Sequence, residues 1–191
     1  MQKRLLCVLF LFVCISSRAQ FDTLFAKEGI RRCADSLALG FKQKNWPLFT
    51  RYSNPAMVGS LGGTELFIQY ISETFSQIPD SAWKKYAPGK ILQVVKTPGE
   101  LQCIIELNSV IEWQGRRVTS TAALVGQSWD GGLFWTFFDS QNDAQAARMI
   151  KPDLSEALII PAKKEKLENL SSKSKTKPAT KAKAPAKTKQ H

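Results

Sequence analysis

The chain contains almost no histidine: the only one among its 191 residues is His191, at the very end of the sequence. Histidine is a principal ligand of zinc and the most frequent general acid or base in enzymes, so its absence argues against both kinds of site. No group of cysteines and carboxylates shows the spacing of metal ligands either. The sequence therefore predicts neither a metal nor a cofactor.

Cysteine is also scarce. Cys7 and Cys14 lie near the N-terminus, which leaves Cys33 in a helical pattern and Cys103 in a strand pattern, each among apolar neighbours. These two residues form a single disulfide in an oxidising compartment, or they stay free and buried as small hydrophobic side chains. Their apolar surroundings favour the second alternative.

The sequence has no hydrophobic run long enough to cross a bilayer comfortably. The longest run covers residues 5–15, whereas a spanning helix needs about 20 apolar residues. Lys3 and Arg4 precede this run, and Ser17 and Ala19 occupy the −3 and −1 positions of a cleavage site. This layout is typical of a secretory signal peptide. We expect residues 1–19 to be removed near Ala19 and the protein to be exported to the periplasm or beyond the cell.

The middle of the chain lacks net charge although the whole chain carries +11. Residues 20–161 contain fourteen basic and fourteen acidic residues, and the excess lies in the leader and after residue 161. Nucleic-acid binding by a domain requires Lys and Arg gathered on a folded face. The charge pattern therefore gives no sign of specific nucleic-acid recognition by residues 20–161, which we predict to form one domain.

The segment of residues 162–191 is rich in Lys, Ala and Pro and has no aromatic residue. Such a composition buries too little apolar surface to offset the entropy of ordering, so the segment is predicted to be a disordered tail. Its composition is similar to that of linker-histone tails, but export separates the protein from chromosomal DNA. We expect this polycationic tail to tether the protein to anionic surfaces or polymers; a role in solubility alone is the alternative.

Helical periodicity dominates the first half of the domain. Apolar residues recur at three- and four-residue intervals over residues 22–44, which predicts an amphipathic helix. A short helix is expected to begin at Trp46 after an Asn45 cap, and a third to begin near Thr64 after a glycine pair. Met57 and Val58 favour a brief strand, and residues 80–86 one further helical turn.

The second half alternates with a period of two. Residues 91–96, 101–113, 116–127 and 133–139 are predicted strands, separated by turns that contain glycine. Helices followed by antiparallel strands indicate an α+β fold in which the N-terminal helices cover one face of the sheet. A single Asp-box-like string, residues 128–135, is interpreted as a hairpin device, since a propeller would need several copies.

The order of these elements, with the strings at residues 45–49, 61–65 and 129–139, resembles the nuclear transport factor 2-like superfamily. The resemblance covers about residues 21–139. It implies a cone in which a curved antiparallel sheet wraps around helices and leaves a pocket, and it implies a homodimer. The superfamily includes ketosteroid isomerases, polyketide cyclases and members without known catalysis, so fold alone does not decide function.

If the pocket is catalytic, the resemblance implies a carboxylate base and a tyrosine that polarises a carbonyl group. No spacing selects one pair among the candidates, which are Asp35, Glu106, Glu112 and Asp139 with Tyr52, Tyr70 and Tyr86. Glu106 and Glu112 share one strand face, which is usually the solvated face.

Our leading hypothesis is an exported, non-catalytic binding or accessory module that holds an apolar small molecule or a protein partner. An isomerase- or cyclase-like enzyme is the alternative. Aromatic side chains usually line apolar ligand pockets. The residues that we expect beside such a pocket are Tyr52, Tyr70, Trp113 and Trp135.

Overall fold

The computed structural model describes residues 23–170, so the predicted signal peptide and most of the predicted tail lie outside the described residues. The helices are α1 (Thr23–Lys42), α2 (Trp46–Arg51), α3 (Pro55–Ser60), α4 (Thr64–Ser76) and α5 (Ala144–Ile150), with one 3₁₀ turn at Asp80–Ala82. The strands are β1 (Trp83–Thr97), β2 (Glu100–Trp113), β3 (Arg116–Ser128), β4 (Thr136–Asp139) and β5 (Lys164–Asn169). No helix in this part of the chain is long and apolar enough to traverse a bilayer.

The five strands form one curved antiparallel sheet, which confirms the predicted α+β class. Its order is β1-β2-β3-β4, and β5 also pairs with β3. The free edge of β3 is thus shared: β4 pairs with its C-terminal end and β5 with its N-terminal half. Three register shifts interrupt the pairing of β1 with β2, and irregularities of this kind bend a strand.

The inner face of the sheet packs against α1. The periodic residues of α1, including Ile30, Cys33 and Leu37, are buried as predicted. They form one apolar cluster with Cys103, Ile105, Leu107, Leu124, Trp135 and Phe137. Gly29 allows the closest approach, because a Cβ atom there would lie 2.0 Å from the carbonyl oxygen of Gly132. The amphipathic period of α1 therefore sets the position of the helix on the sheet.

The outer face of the sheet is covered by a segment for which the sequence pattern predicted neither a helix nor a strand. Residues 144–160, which include α5, cover the part of this face that carries Ile104, Val125 and Phe138. Ala147, Leu154 and Leu158 are buried in this contact. The domain consequently has three layers: helices, sheet and a C-terminal strap formed by residues 144–160.

Two local predictions were wrong. Met57 and Val58 lie in helix α3 rather than in a strand, because the Asn54 side chain accepts hydrogen bonds from the amides of Ala56 and Met57 and caps the helix. The strand predicted at residues 91–96 begins at Trp83 instead, directly after the 3₁₀ turn. Pro88 and Gly89 form an irregularity within β1 and do not end it.

The boundary of the disordered tail predicted at residue 162 was also wrong. Lys164–Asn169 form β5, whose residues pair with Arg116–Thr121 of β3. The strand carries alternating opposite charges, and two ion pairs, Lys163–Glu165 and Lys166–Glu168, join residues two positions apart. Backbone hydrogen bonds to a free sheet edge can order such a polar segment without apolar burial, which composition alone does not reveal.

Candidate functional site: an apolar cavity between helices and sheet

A cavity of about 260 Å³ lies between α4 and the inner face of the sheet. Helices α1, α2 and α3 contribute Leu37, Phe49 and Met57, and β2 and β3 contribute Leu107 and Leu124. The remaining lining residues are Ser53, Leu61, Phe67, Tyr70, Ile71, Phe75, Tyr86, Phe137, Phe138 and Asp139. Eleven of these fifteen residues are leucine, isoleucine, methionine or phenylalanine, so the wall is suited to an apolar molecule.

The cavity is bordered by exposed apolar residues where α3 meets α4. Leu61 is 38% exposed and Tyr70 is 54% exposed, although both contribute to the lining. The nearby Leu66 is also exposed and lies against Gly62, which adopts a positive φ angle in the turn. The glycine pair predicted to allow this turn therefore also shapes the border of the cavity.

Two polar groups face the apolar lining. Tyr86 lies on β1, and its ring stacks on Phe41 with the ring centroids 3.9 Å apart. Asp139 lies at the end of β4, where its Oδ1 accepts a hydrogen bond from the amide of Gln141 at 2.7 Å. Burial raises the pKa of Tyr86, and the charge of the Asp139 carboxylate raises it further. The Tyr86 hydroxyl is thus held neutral close to a carboxylate.

Only one of the four predicted pocket residues lines this cavity. It is Tyr70 of α4. Tyr52 instead packs on Phe134 with the ring centroids 5.2 Å apart, and Trp113 lies 42% exposed at the end of β2. Trp135 is fully buried beneath α1, where its Nε1 donates a hydrogen bond to the Gly132 carbonyl. These three residues lie elsewhere in the fold.

Of the four candidate carboxylates, only Asp139 lines the cavity. Asp35 is exposed on α1. Glu106 and Glu112 lie on the opposite face of β2 from Leu107, where Glu106 accepts a hydrogen bond from the Lys90 amide and Glu112 pairs with Arg117. The strand alternation noted in the sequence therefore places both glutamates away from the cavity.

The string at residues 128–135 forms the expected hairpin device. The Asp130 carboxylate accepts hydrogen bonds from the Phe134 amide and the Ser128 hydroxyl. Burial opposes ionisation of Asp130, but these hydrogen bonds outweigh it and hold the pKa of the carboxyl below its usual range. With Trp135 packed beneath the turn, the string fixes the entry into β4.

Cys33 and Cys103 are both free and buried in the cluster between α1 and the sheet. The Cys33 sulfur accepts a hydrogen bond from the Trp135 amide at 3.4 Å. Burial raises the pKa of the Cys103 thiol, and a hydrogen bond with the backbone of Gly126 opposes this only in part. Both thiols therefore act as packing residues. Within residues 23–170 no three side chains of the types that bind metals come together.

Several cavity residues were not among the predicted site residues. Met57 was assigned to a strand, and Phe49, Phe67 and Phe137 were not singled out as pocket residues. A signal was present: Phe67, Tyr70, Ile71 and Phe75 share one helical face in the sequence. That periodicity does not indicate whether this face of the helix packs against other side chains or borders a cavity.

No protein-family model matches the chain, and neither the curated proteins nor the solved structures yield a match.

Proposed function

We propose that this chain is an exported, non-catalytic binding module of the nuclear transport factor 2-like kind, whose cavity takes an apolar small molecule. The observation that carries the proposal is the cavity of about 260 Å³ with its largely apolar wall and exposed apolar border. Sites of roughly 300–1,000 Å³ with a few polar groups are usual for small ligands. A molecule at the lower end of that size range fits, with its polar group directed to Tyr86 and Asp139.

The lysine-rich tail is proposed to hold the module on anionic surfaces. Residues 171–191 contain seven lysines and no acidic residue. Near an anionic bilayer each lysine contributes about 1 kcal/mol to binding. The described chain ends at Leu170, whose amide donates to the Gly115 carbonyl at the β2–β3 turn. The tail therefore begins at the same end of the sheet as the exposed Arg116.

Binding of an apolar probe tests the cavity. Displacement of a fluorescent fatty-acid or naphthalene probe should show saturable binding to the full chain, and Leu61→Trp should weaken it about tenfold, because the larger side chain obstructs the border. Leu133→Trp is the matched control, since Leu133 is 53% exposed in the turn before β4 and does not line the cavity. Equal weakening by both substitutions, or no saturable binding, would contradict the proposal.

One observation favours the enzymatic alternative. The exposed Asp139 and the neutral Tyr86 both line the same largely apolar cavity, and a carboxylate with a neutral hydroxyl is the combination that a proton transfer beside a carbonyl group requires. In that case a β,γ-unsaturated cyclic ketone is isomerised to its conjugated form. Asp139→Asn should then abolish turnover and Tyr86→Phe reduce it by about 100-fold or more. Unchanged turnover in both variants would reject the alternative.

A further inference from the structure

A second, smaller cavity of about 80 Å³ lies where the end of α1, the start of α2, the end of α4 and the start of β1 meet. Four aromatic side chains line it: Phe41, Trp46, Phe75 and Trp83. Phe75 also lines the larger cavity, so the two spaces are neighbours but have different walls. The volume corresponds to that of about two or three water molecules, enough for a compact group of a few heavy atoms.

The aromatic rings are arranged around this space with their planes at steep angles. Phe75 and Trp83 stand at 87° and 82° to Phe41, with centroids 4.9 and 4.8 Å from it. Trp46 and Phe75 are close to parallel, with centroids 6.2 Å apart. Phe41 is buried, whereas Trp46, Phe75 and Trp83 are only half-buried. The face of an aromatic ring presents negative charge density, which attracts cations.

Charged groups border the aromatic walls. Asp80 pairs with Lys44 at 2.5 Å, and both side chains are exposed, at 72% and 40%. Lys42, which also lines the cavity, forms no ion pair with other residues in the range 23–170. The site thus combines one carboxylate and two ammonium groups with the aromatic rings.

We propose that this cavity binds the trimethylammonium group of a zwitterion such as phosphocholine. A methylated ammonium is weakly hydrated and cannot donate N–H hydrogen bonds, so aromatic faces replace its water shell at little cost. Asp80 supplies the counter-charge. The anionic group of the same ligand lies outside the cavity, where Lys42 and Lys44 bind it. A simple cation cannot also contact Lys42 and Lys44, and a simple anion gains nothing from contact with the aromatic rings.

NMR titration of the full chain with phosphocholine provides the test. The indole signals of Trp46 and Trp83 should shift in a saturable way, and those of Trp113 and Trp129 should stay in place. The carbon isostere 3,3-dimethylbutyl phosphate has the same shape without the positive charge, and it should bind about 2- to 30-fold more weakly, the range expected for loss of a cation–π contact. Equal binding of the isostere, or shifts spread over all indoles, would overturn the proposal.

Single substitutions test separately the binding of the trimethylammonium group and of the phosphate group. Asp80→Asn should weaken both choline and phosphocholine, whereas Lys42→Ala should weaken phosphocholine and leave choline unchanged. Trp83→Leu should abolish binding, and Trp113→Leu is the control, because Trp113 is an exposed tryptophan away from the cavity. If Trp83→Leu does not fold, Trp83→Phe keeps a ring and should retain binding within about threefold. Loss of both ligands in Lys42→Ala would contradict the proposed orientation.

Phosphocholine exists as a free solute and as a lipid headgroup. Sedimentation with neutral phosphatidylcholine vesicles distinguishes these sources. If the protein sediments with the vesicles and free phosphocholine releases it, the ligand is the lipid headgroup. If the indole signals shift with free phosphocholine but the protein does not sediment with the vesicles, the ligand is the free solute. Both outcomes support the site. Retention that phosphocholine does not displace, together with unshifted indoles, would reject it.

Discussion

Two helical glycines in this chain have opposite surroundings. A Cβ atom at Gly29 of α1 would lie 2.0 Å from the Gly132 carbonyl oxygen and 3.1 Å from Nε1 of Trp135, whereas a Cβ atom at Gly59 of α3 would meet nothing within 4 Å. Glycine in a helix costs about 0.5–1 kcal/mol relative to alanine through its backbone entropy. The same substitution therefore has opposite consequences at the two positions.

We predict that Gly29→Ala destabilises the protein by about 2 kcal/mol or more, because the backbone of the turn before β4 must move away from α1. Gly59→Ala should stabilise it by about 0.5 kcal/mol. Urea unfolding monitored by tryptophan fluorescence measures both values. Equal effects of the two substitutions would show that α1 does not rest on this turn.

The cavity residue Tyr86 makes the stability of the folded protein depend on pH in the alkaline range. Burial, and secondly the Asp139 carboxylate, raise the pKa of Tyr86 in the folded protein. The unfolded chain ionises this group above about pH 10 while the folded protein does not, so stability is lost as pH rises through that value. Cys103, whose pKa burial also raises, contributes a similar loss that begins at lower pH.

Tyr86→Phe should therefore reduce the decline in unfolding free energy between about pH 9 and about pH 11, and Asp139→Asn should reduce it less. The measurement is denaturant unfolding at a series of pH values. Tyr70→Phe serves as the control, since Tyr70 lines the same cavity but is half exposed. An identical decline in Tyr86→Phe would show that this hydroxyl is solvated.

At the scale of elements, the C-terminal strap is fastened by a buried ion pair. Lys151 Nζ lies 2.7 Å from Glu100 Oε1, and the two side chains are 7% and 5% exposed. Gln102 completes the cluster: its amide group donates to Glu100 and accepts from the Ser155 amide at 2.8 Å. Glu100 Oε2 has no partner among the described residues, so the carboxylate depends on Lys151 for compensation.

Lys151→Met should destabilise the protein by about 3–5 kcal/mol, because it leaves the Glu100 charge buried without its counter-ion. The double variant Glu100→Leu with Lys151→Met should recover most of that loss, since burying two apolar groups costs far less. Lys163→Met tests an exposed pair and should have little effect. A double variant as unstable as Lys151→Met would show that the unpaired Glu100 charge does not cause the loss.

Helices and strands whose apolar residues recur at a regular interval were predictable from the sequence. Elements that are ordered by pairing with another strand were not. The spacing of Ile30, Cys33 and Leu37 predicted α1, and strict alternation predicted β2 and β3. By contrast, β5 is too polar to show a pattern, because the edge of β3 orders it. For the site, the cavity is lined by Tyr70 but not by Trp135, and the sequence could not separate the two, since a buried aromatic residue has the same pattern whether it fills the core or borders a space.

At the scale of the whole molecule, the chain combines a charge-balanced domain with a cationic extension, and β5 marks where one gives way to the other. Residues 164–169 pair with β3, whereas residues 171–191 carry seven of the chain's lysines. Two truncations, one after residue 170 and one after residue 161, therefore have different expected effects. Ending the chain at residue 170 removes the seven lysines of residues 171–191, and ending it at residue 161 removes β5 as well.

We predict that the chain ending at residue 170 loses retention on anionic vesicles and keeps its unfolding free energy. The chain ending at residue 161 should lose the same retention and also be less stable by about 1 kcal/mol, because the N-terminal half of β3 loses backbone hydrogen bonds. Replacement of the seven tail lysines by arginine should preserve retention, replacement by glutamine should abolish it, and added salt should weaken what remains. Full retention by the chain ending at residue 170 would show that the tail is not the tether, and equal stability of both truncations would show that β5 contributes no net stability.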